Sequence, residues 1–170
     1  MLYVTYGFGT TKDFDINKIE INLNECIGKP KSAWWGSPVS AEYGWKEWCE
    51  ANDFVPGSKG KNIEEYFDEK DAIYWKLETG SKILMIDYVD DLIDFFEQGF
   101  IEYIEDDRDP ILNQFRWNFY NVVAAGYDAI QLNDSTIGHN FRSDLEMLMN
   151  SWDCESIVVL NPSKIIVQRC

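Results

Sequence analysis

"SWDCESIVVLNPSKIIVQ", Ser151 to Gln168, is the stretch on which the fold turns. Four apolar residues, Ile157 to Leu160, run without a break, which is the signature of a strand buried on both faces. The turn dipeptide Asn161-Pro162 follows, and then a second apolar run, Ile165 to Val167. Two carboxylates, Asp153 and Glu155, stand just ahead of the first run. In an extended chain residues i and i+2 share a face, so the pattern places these two acids side by side. Neighbouring acids raise each other's proton affinity, and one of them can hold a developing cation or accept a proton. They are the candidate catalytic pair. The plainer alternative is two solvated acids before a core strand.

Working outward, "LYVTYGF" reads as a first strand, "KIEINL" as a short second one, and "YDAIQL" as a strand late in the chain. "AWWGS" is a short aromatic segment ending at Ser37-Pro38. Residues 41–52, "AEYGWKEWCEAN", carry a partial helical periodicity, and "VPGSKGKN" reads as a loop. "AIYWKL" and "KILMI" are two strand-like runs joined by "ETGS", which predicts a hairpin. "DYVDDLIDFFEQGF" is an amphipathic helix. "DPILNQFRWNFYNVVAAG" is read as another, with Pro110 near its start and Gly126 as its stop. "RSDLEMLMNS" supplies a helical turn or two. Strands and helices mix without strict βαβ alternation, so the class expected is α+β, not a doubly wound sheet.

With 170 residues, 45% of them hydrophobic and seven of them Trp, the chain has the length of one domain with a real core. A net charge of −15 argues against general nucleic-acid binding, which needs clustered Lys and Arg, and is compatible with a basic partner. The N-terminus lacks a basic signal-like region, and no apolar run approaches a membrane span; the expectation is a cytoplasmic protein. Four Cys (26, 49, 154 and 170) without CxxC spacing and a single His, His139, predict reduced thiols and no metal site. Neither phosphate-binding glycine motif occurs.

The second constellation is "GKPKSAWWGSPVSAEYGWKEWCE". Lys29 and Lys31 are a basic pair beside Trp34, Trp35 and Tyr43, whose flat faces can stack on a nucleobase or pyridinium ring. Cations for a pyrophosphate next to aromatics for a ring suit a dinucleotide, although clustered Trp also suits a core. Tyr3 and Thr5 share one face of the first strand and can bond to an amide or ribose. His139, in "STIGHN", reads as a surface loop residue.

"AAGYDAIQL" followed by "ESIVVLNPSKI" resembles the closing pattern of ADP-ribosyltransferase domains. There a "GYDGI"-type strand precedes a strand whose opening Glu is catalytic, and that position falls on Glu155. The segment "GKPKSAWWGSPVSAEYGWKEWCEANDF" with "SWDCES" is also similar to uncharacterised phage and bacterial proteins carrying "KPxGLWxSxxxxxGWxxWC" and "WDCxS" elements. The resemblance covers both ends and residues 28–54, about half the chain.

What it implies is a split mixed or antiparallel β-sheet core with flanking helices. The implied activity is mono-ADP-ribosyl transfer from NAD to a host macromolecule in a phage or prophage setting, with no metal. The family's second-strand aromatic or Ser matches Trp35 and Ser37, and its stacking Tyr matches Tyr43 or Trp45. Its first-strand His or Arg is absent here, and Tyr3 or Thr5 stands in that place. Lys29 or Lys31 would meet phosphate and Asp153 the acceptor. The rival expectation is a non-enzymatic acidic binder on the same fold, such as a nucleic-acid mimic or an anti-CRISPR inhibitor of bacterial defence.

Overall fold

The computed structural model describes residues 1–7, 14–26, 28–55, 62–105, 114–133 and 144–168. His139 lies outside them, as does most of the loop expected at 55–62. The chain is a mixed α+β structure built on a mostly antiparallel sheet. Its strands are β1 (Tyr3–Thr5), β2 (Asn22–Cys26), β3 (Lys29–Ser32), β4 (Trp34–Pro38), β5 (Ile73–Leu77), β6 (Ile83–Ile86), β7 (Ile101–Ile104), β8 (Gln114–Trp117), β9 (Ala129–Leu132), β10 (Ser156–Val159) and β11 (Ile165–Val167). Helices α1 (Trp45–Ala51), α2 (Ile63–Tyr66), α3 (Val89–Glu97) and α4 (Phe119–Ala124) connect them.

Seven strands form the main sheet in the order β11-β5-β1-β4-β10-β9-β6, antiparallel except for the parallel pair β6–β9. β10, the unbroken apolar run, sits between β4 and β9 and is buried at every position. Its side chains alternate between two cores, as a central strand requires. Val158 packs with Ile130, Leu132, Leu92, Phe95 and Trp117 on the face covered by α3, α4 and the antiparallel pair β7–β8. Ile157 and Val159 pack with Tyr3, Trp34, Ile73 and Trp75 on the other.

β4 changes partners along its length. Trp34, Trp35 and Gly36 pair with β10, whereas Ser37 and Pro38 pair with β1. Gly36 sits at the changeover, and a Cβ there would lie 2.7 Å from the Trp75 ring and 2.9 Å from the Val4 carbonyl oxygen. Only a residue without a side chain lets the two strands and the Trp75 ring meet this closely.

Three local expectations are corrected. "AIYWKL" and "KILMI" are both strands but not a hairpin: β5 pairs with β1 and β11, while β6 lies at the opposite edge of the sheet beside β9. Both runs are apolar enough to be buried, and burial against distant strands overrides the local turn signal. Of the helix expected over "DPILNQFRWNFYNVVAAG", residues 109–113 lie outside the described residues, and 114–126 are not one helix. Their first part is β8, and the helix begins only after Asn118, whose side chain caps the Asn121 amide. Alternation at Phe115 and Trp117, both facing the β7 partners Tyr103 and Ile101, is a period of two rather than 3.6. The second strand also lies further on than "KIEINL", because Asp15 caps a 3-10 turn over Ile16–Lys18 and β2 starts at Asn22.

Candidate functional site

A cleft of about 250 Å³ opens beside the changeover in β4. Its floor is the sheet, contributed by Val4, Thr5, Gly36 and Ser156, and its walls are aromatic: Tyr6, Trp35, Trp45, Tyr66 and Trp152. Lys29 and Asp153 are the charged residues in its lining. A second hollow of about 200 Å³, bounded by Lys46, Glu47, Glu69 and Tyr74, shares the Val4, Tyr6 and Trp45 walls.

Each wall is set by local structure. Trp35 projects from β4 opposite Trp34, and its ring meets the edge of Trp152 at 4.9 Å. Trp152 is 1% exposed, with its indole N–H donating to the Gly28 carbonyl at 2.9 Å, so this wall is anchored to the turn before β3. Trp45 opens α1, and its ring lies parallel to Trp48 at 5.1 Å. Tyr66, from α2, lines the same cleft. These rings are held by packing and hydrogen bonds before any ligand arrives, the usual condition of a site that binds flat molecules.

Electrostatically the cleft centres on one pair. The Lys29 ammonium stands 3.7 Å from an Asp153 carboxylate oxygen and 5.2 Å from the centroid of the Trp35 ring. Burial lowers the Lys29 pKa from its ordinary value, and the pull of Asp153 works against that shift. Beside them the Cys154 thiol is pushed up to about 12, chiefly by burial and then by the Asp153 charge, so it stays protonated and unreactive at neutral pH. Among the described residues no cluster of three His, Cys, Asp or Glu converges to hold a metal, and no helix is long and apolar enough to cross a membrane.

The structure brings Thr5, Lys29, Trp35, Trp45 and Asp153 together around this cleft. It uses the other expected residues elsewhere. Tyr3 is 1% exposed on the opposite face of the sheet, stacked on Trp75 and donating its hydroxyl to Gln131. Thr5 reaches the cleft, but its hydroxyl donates to the Trp35 carbonyl at 2.6 Å and accepts from the Trp75 indole at 2.9 Å. That uses its proton and one lone pair, leaving it only as an acceptor for a ligand. Ser37 is buried, and its Oγ accepts from the Trp45 amide, tying β4 to the start of α1. Lys31, two residues from Lys29, is exposed and lines a different hollow with Glu20, Leu23 and Tyr120.

The two acids also part company. Both precede β10 rather than lying in it, so the strand rule that places them side by side does not apply. Asp153 turns into the cleft. Glu155 accepts the Tyr43 amide on Oε1 at 3.1 Å and returns its own amide to the Tyr43 carbonyl at 3.0 Å. This reciprocal pair clamps the segment before α1 against the start of β10. Neither Glu155 nor the Tyr43 ring lines the cleft.

Sequence reasoning missed Tyr6, Tyr66, Trp152 and Ser156. Trp152 was within reach, because "WDC" places an aromatic one residue from the cleft acid. Tyr6 follows Val4 by the strand period. Tyr66 arrives from a four-residue helix with no local signal at all. Compared with family models, curated proteins and solved structures, the chain matches none. What the fold and the cleft define is therefore a class: a mostly antiparallel α+β domain carrying an aromatic-walled, ring-sized cleft with one ion pair at its rim.

Proposed function

We propose that the chain is an NAD-dependent mono-ADP-ribosyltransferase acting on a host macromolecule, working in the cytoplasm of a bacterium that carries a phage or prophage. The observation that supports this reading is the juxtaposition of an aromatic cleft with the acid-bearing entry to β10. A cleft of about 250 Å³ is at the small end for a ligand pocket, fitting a nicotinamide ring and its sugar more closely than a whole dinucleotide. The neighbouring hollow continues from the same walls and offers room for the remainder.

In this reading Trp35, Trp45 and Trp152 hold the nicotinamide ring and Lys29 meets a phosphate oxygen. Glu155 is held outside the cleft lining, with Oε1 on the Tyr43 amide, so this reading requires it to turn toward the cleft to meet the ribose 2′-hydroxyl. The bond between ribose C1 and the nicotinamide nitrogen breaks with its electron pair leaving on nicotinamide. The sugar becomes oxocarbenium-like, and a fixed carboxylate stabilises that charge more than it stabilises the ground state. The acceptor's nucleophile then bonds to C1, and its proton passes to Asp153. Release of nicotinamide from NAD is the test: Glu155→Gln should lower the rate by about a hundredfold or more, as loss of one preorganised electrostatic group does. An unchanged rate removes Glu155 from the chemistry.

A second reading has its own support. The Thr5 and Ser37 hydroxyls both bond within the protein, and the Lys29 and Asp153 charges offset each other. Meanwhile Asp90, Asp91, Asp94 and Glu97 crowd α3. A non-enzymatic acidic binder that docks on a basic partner fits these facts. Affinity for basic proteins that collapses with added salt, together with no NAD binding by calorimetry, decides for it.

A further inference from the structure

The Lys29–Asp153 pair is an odd occupant of an aromatic cleft. At 3.7 Å it is longer than the 2.7–2.9 Å typical of a charge-assisted hydrogen bond, and the two side chains are 34% and 31% exposed. Solvent reaches about a third of each side chain and screens the pair in part, so its partners can be exchanged. The ammonium nevertheless sits over the Trp35 face, where an aromatic ring attracts a cation, with a carboxylate on its other side. This is the environment a positively charged ring would choose, and Lys29 holds it from within the chain.

Resting on the reading of the cleft as a pyridine-nucleotide site, we propose that Lys29 and Asp153 select the oxidised, cationic nicotinamide ring over the reduced, neutral one by exchanging partners with a ligand that bears both charges. The quaternary ring nitrogen takes Asp153 and the Trp35 face. The ligand phosphate takes the ammonium that the ring displaces. A zwitterionic ligand therefore breaks one weak pair and makes two. Dihydronicotinamide has no positive charge to give Asp153, so its entry leaves that carboxylate without a cation once Lys29 turns to the phosphate. Transfer is compatible with this selection: when the C–N bond breaks the ring leaves neutral, its hold on Asp153 ends, and the carboxylate is free for the acceptor's proton.

Calorimetric titration of the full chain with NAD⁺, NADH and the N-methylnicotinamide cation tests the exchange, with thermal melts confirming that each variant is folded. Wild type should bind NAD⁺ about tenfold more tightly than NADH, the scale of one cation–π or ion-pair contact. Asp153→Asn should shrink that ratio to about twofold or less while the variant still melts cooperatively as a folded protein. Lys29→Met should weaken both nucleotides, yet bind the phosphate-free N-methylnicotinamide cation several-fold more tightly, because it releases Asp153. Equal wild-type affinity for NAD⁺ and NADH, or full preference surviving in Asp153→Asn, overturns the selection while leaving the pyridine-nucleotide reading in place. No binding of any of the three probes overturns both.

Discussion

Trp34 and Trp35 are neighbours in one strand and belong to different parts of the molecule. Trp34 is 2% exposed and enclosed by other aromatics: Phe14 lies 4.8 Å away, and Trp75, itself stacked on Tyr3, lies at 6.3 Å. Trp35, on the opposite face, touches the edge of Trp152 and the Lys29 ammonium and leaves the rest of its ring to the cleft. The side chains are identical, so the difference lies wholly in what covers each face. One face is sealed by rings from β1 and β5. The other is covered by α1, α2 and the segment before β10, which meet around a gap. A strand that changes partners at Gly36 supplies both environments within two residues.

This contrast can be broken experimentally, beginning with the largest effect. Trp34→Ala should cost about 3–5 kcal/mol in denaturant unfolding, as removal of a large core aromatic does. Trp35→Ala should cost less than half of that, yet abolish detectable NAD binding; an equal loss of stability would make both rings core. Gly36→Ala forces a methyl against the Trp75 ring and the Val4 carbonyl, and an overpacking cost of about 1–3 kcal/mol is expected in the same measurement. Tyr3→Phe strips the buried hydroxyl from Gln131 and should cost about 1–2 kcal/mol, with no change in nicotinamide release. Smallest of all, Lys31→Glu should shift stability by no more than about 0.5 kcal/mol and leave the KM for NAD unchanged, in contrast to Lys29→Glu.

The pH dependence sharpens the same picture. Burial pushes the thiols of Cys49 and Cys154 from 9.0 up to about 12, and the Tyr3 phenol from 10.0 up to about 12. Between roughly pH 9 and 12 the unfolded chain therefore releases protons that the folded chain retains. Stability must fall as pH rises through that window, because the folded state binds the more protons there. Cys154→Ala should flatten the alkaline part of a stability–pH profile. A profile identical to wild type would mean that the thiol is not protected by burial.

Much of the architecture was legible without coordinates because period and composition act locally. The apolar run at 157–160, the amphipathic segment of α3 and the Gly126 stop each follow from side-chain spacing and backbone permission. The α+β class followed from the order of such elements. The hairpin expected at "ETGS" failed because strand pairing is a long-range event. β5 and β6 are each satisfied by strands far away in sequence, and no turn dipeptide records that.

The site divides along the same line. Sequence alone offered Lys29 and Lys31 beside Trp34, Trp35 and Tyr43 as suited to a charged, ring-bearing ligand, and Asp153 with Glu155 as an acid pair, while Trp45 entered only through the family resemblance, since residue type decides what a side chain can do. Only tertiary structure decided where each points. It sent Lys29 into the cleft and Lys31 to another hollow, closed the Thr5 hydroxyl on Trp35 and Trp75, and turned Glu155 to the Tyr43 amide while Asp153 faced Lys29. The physical reason is that a hydrogen-bonding or charged group is captured by whatever partner packing brings within about 3–4 Å, and most of those partners lie dozens of residues away along the chain.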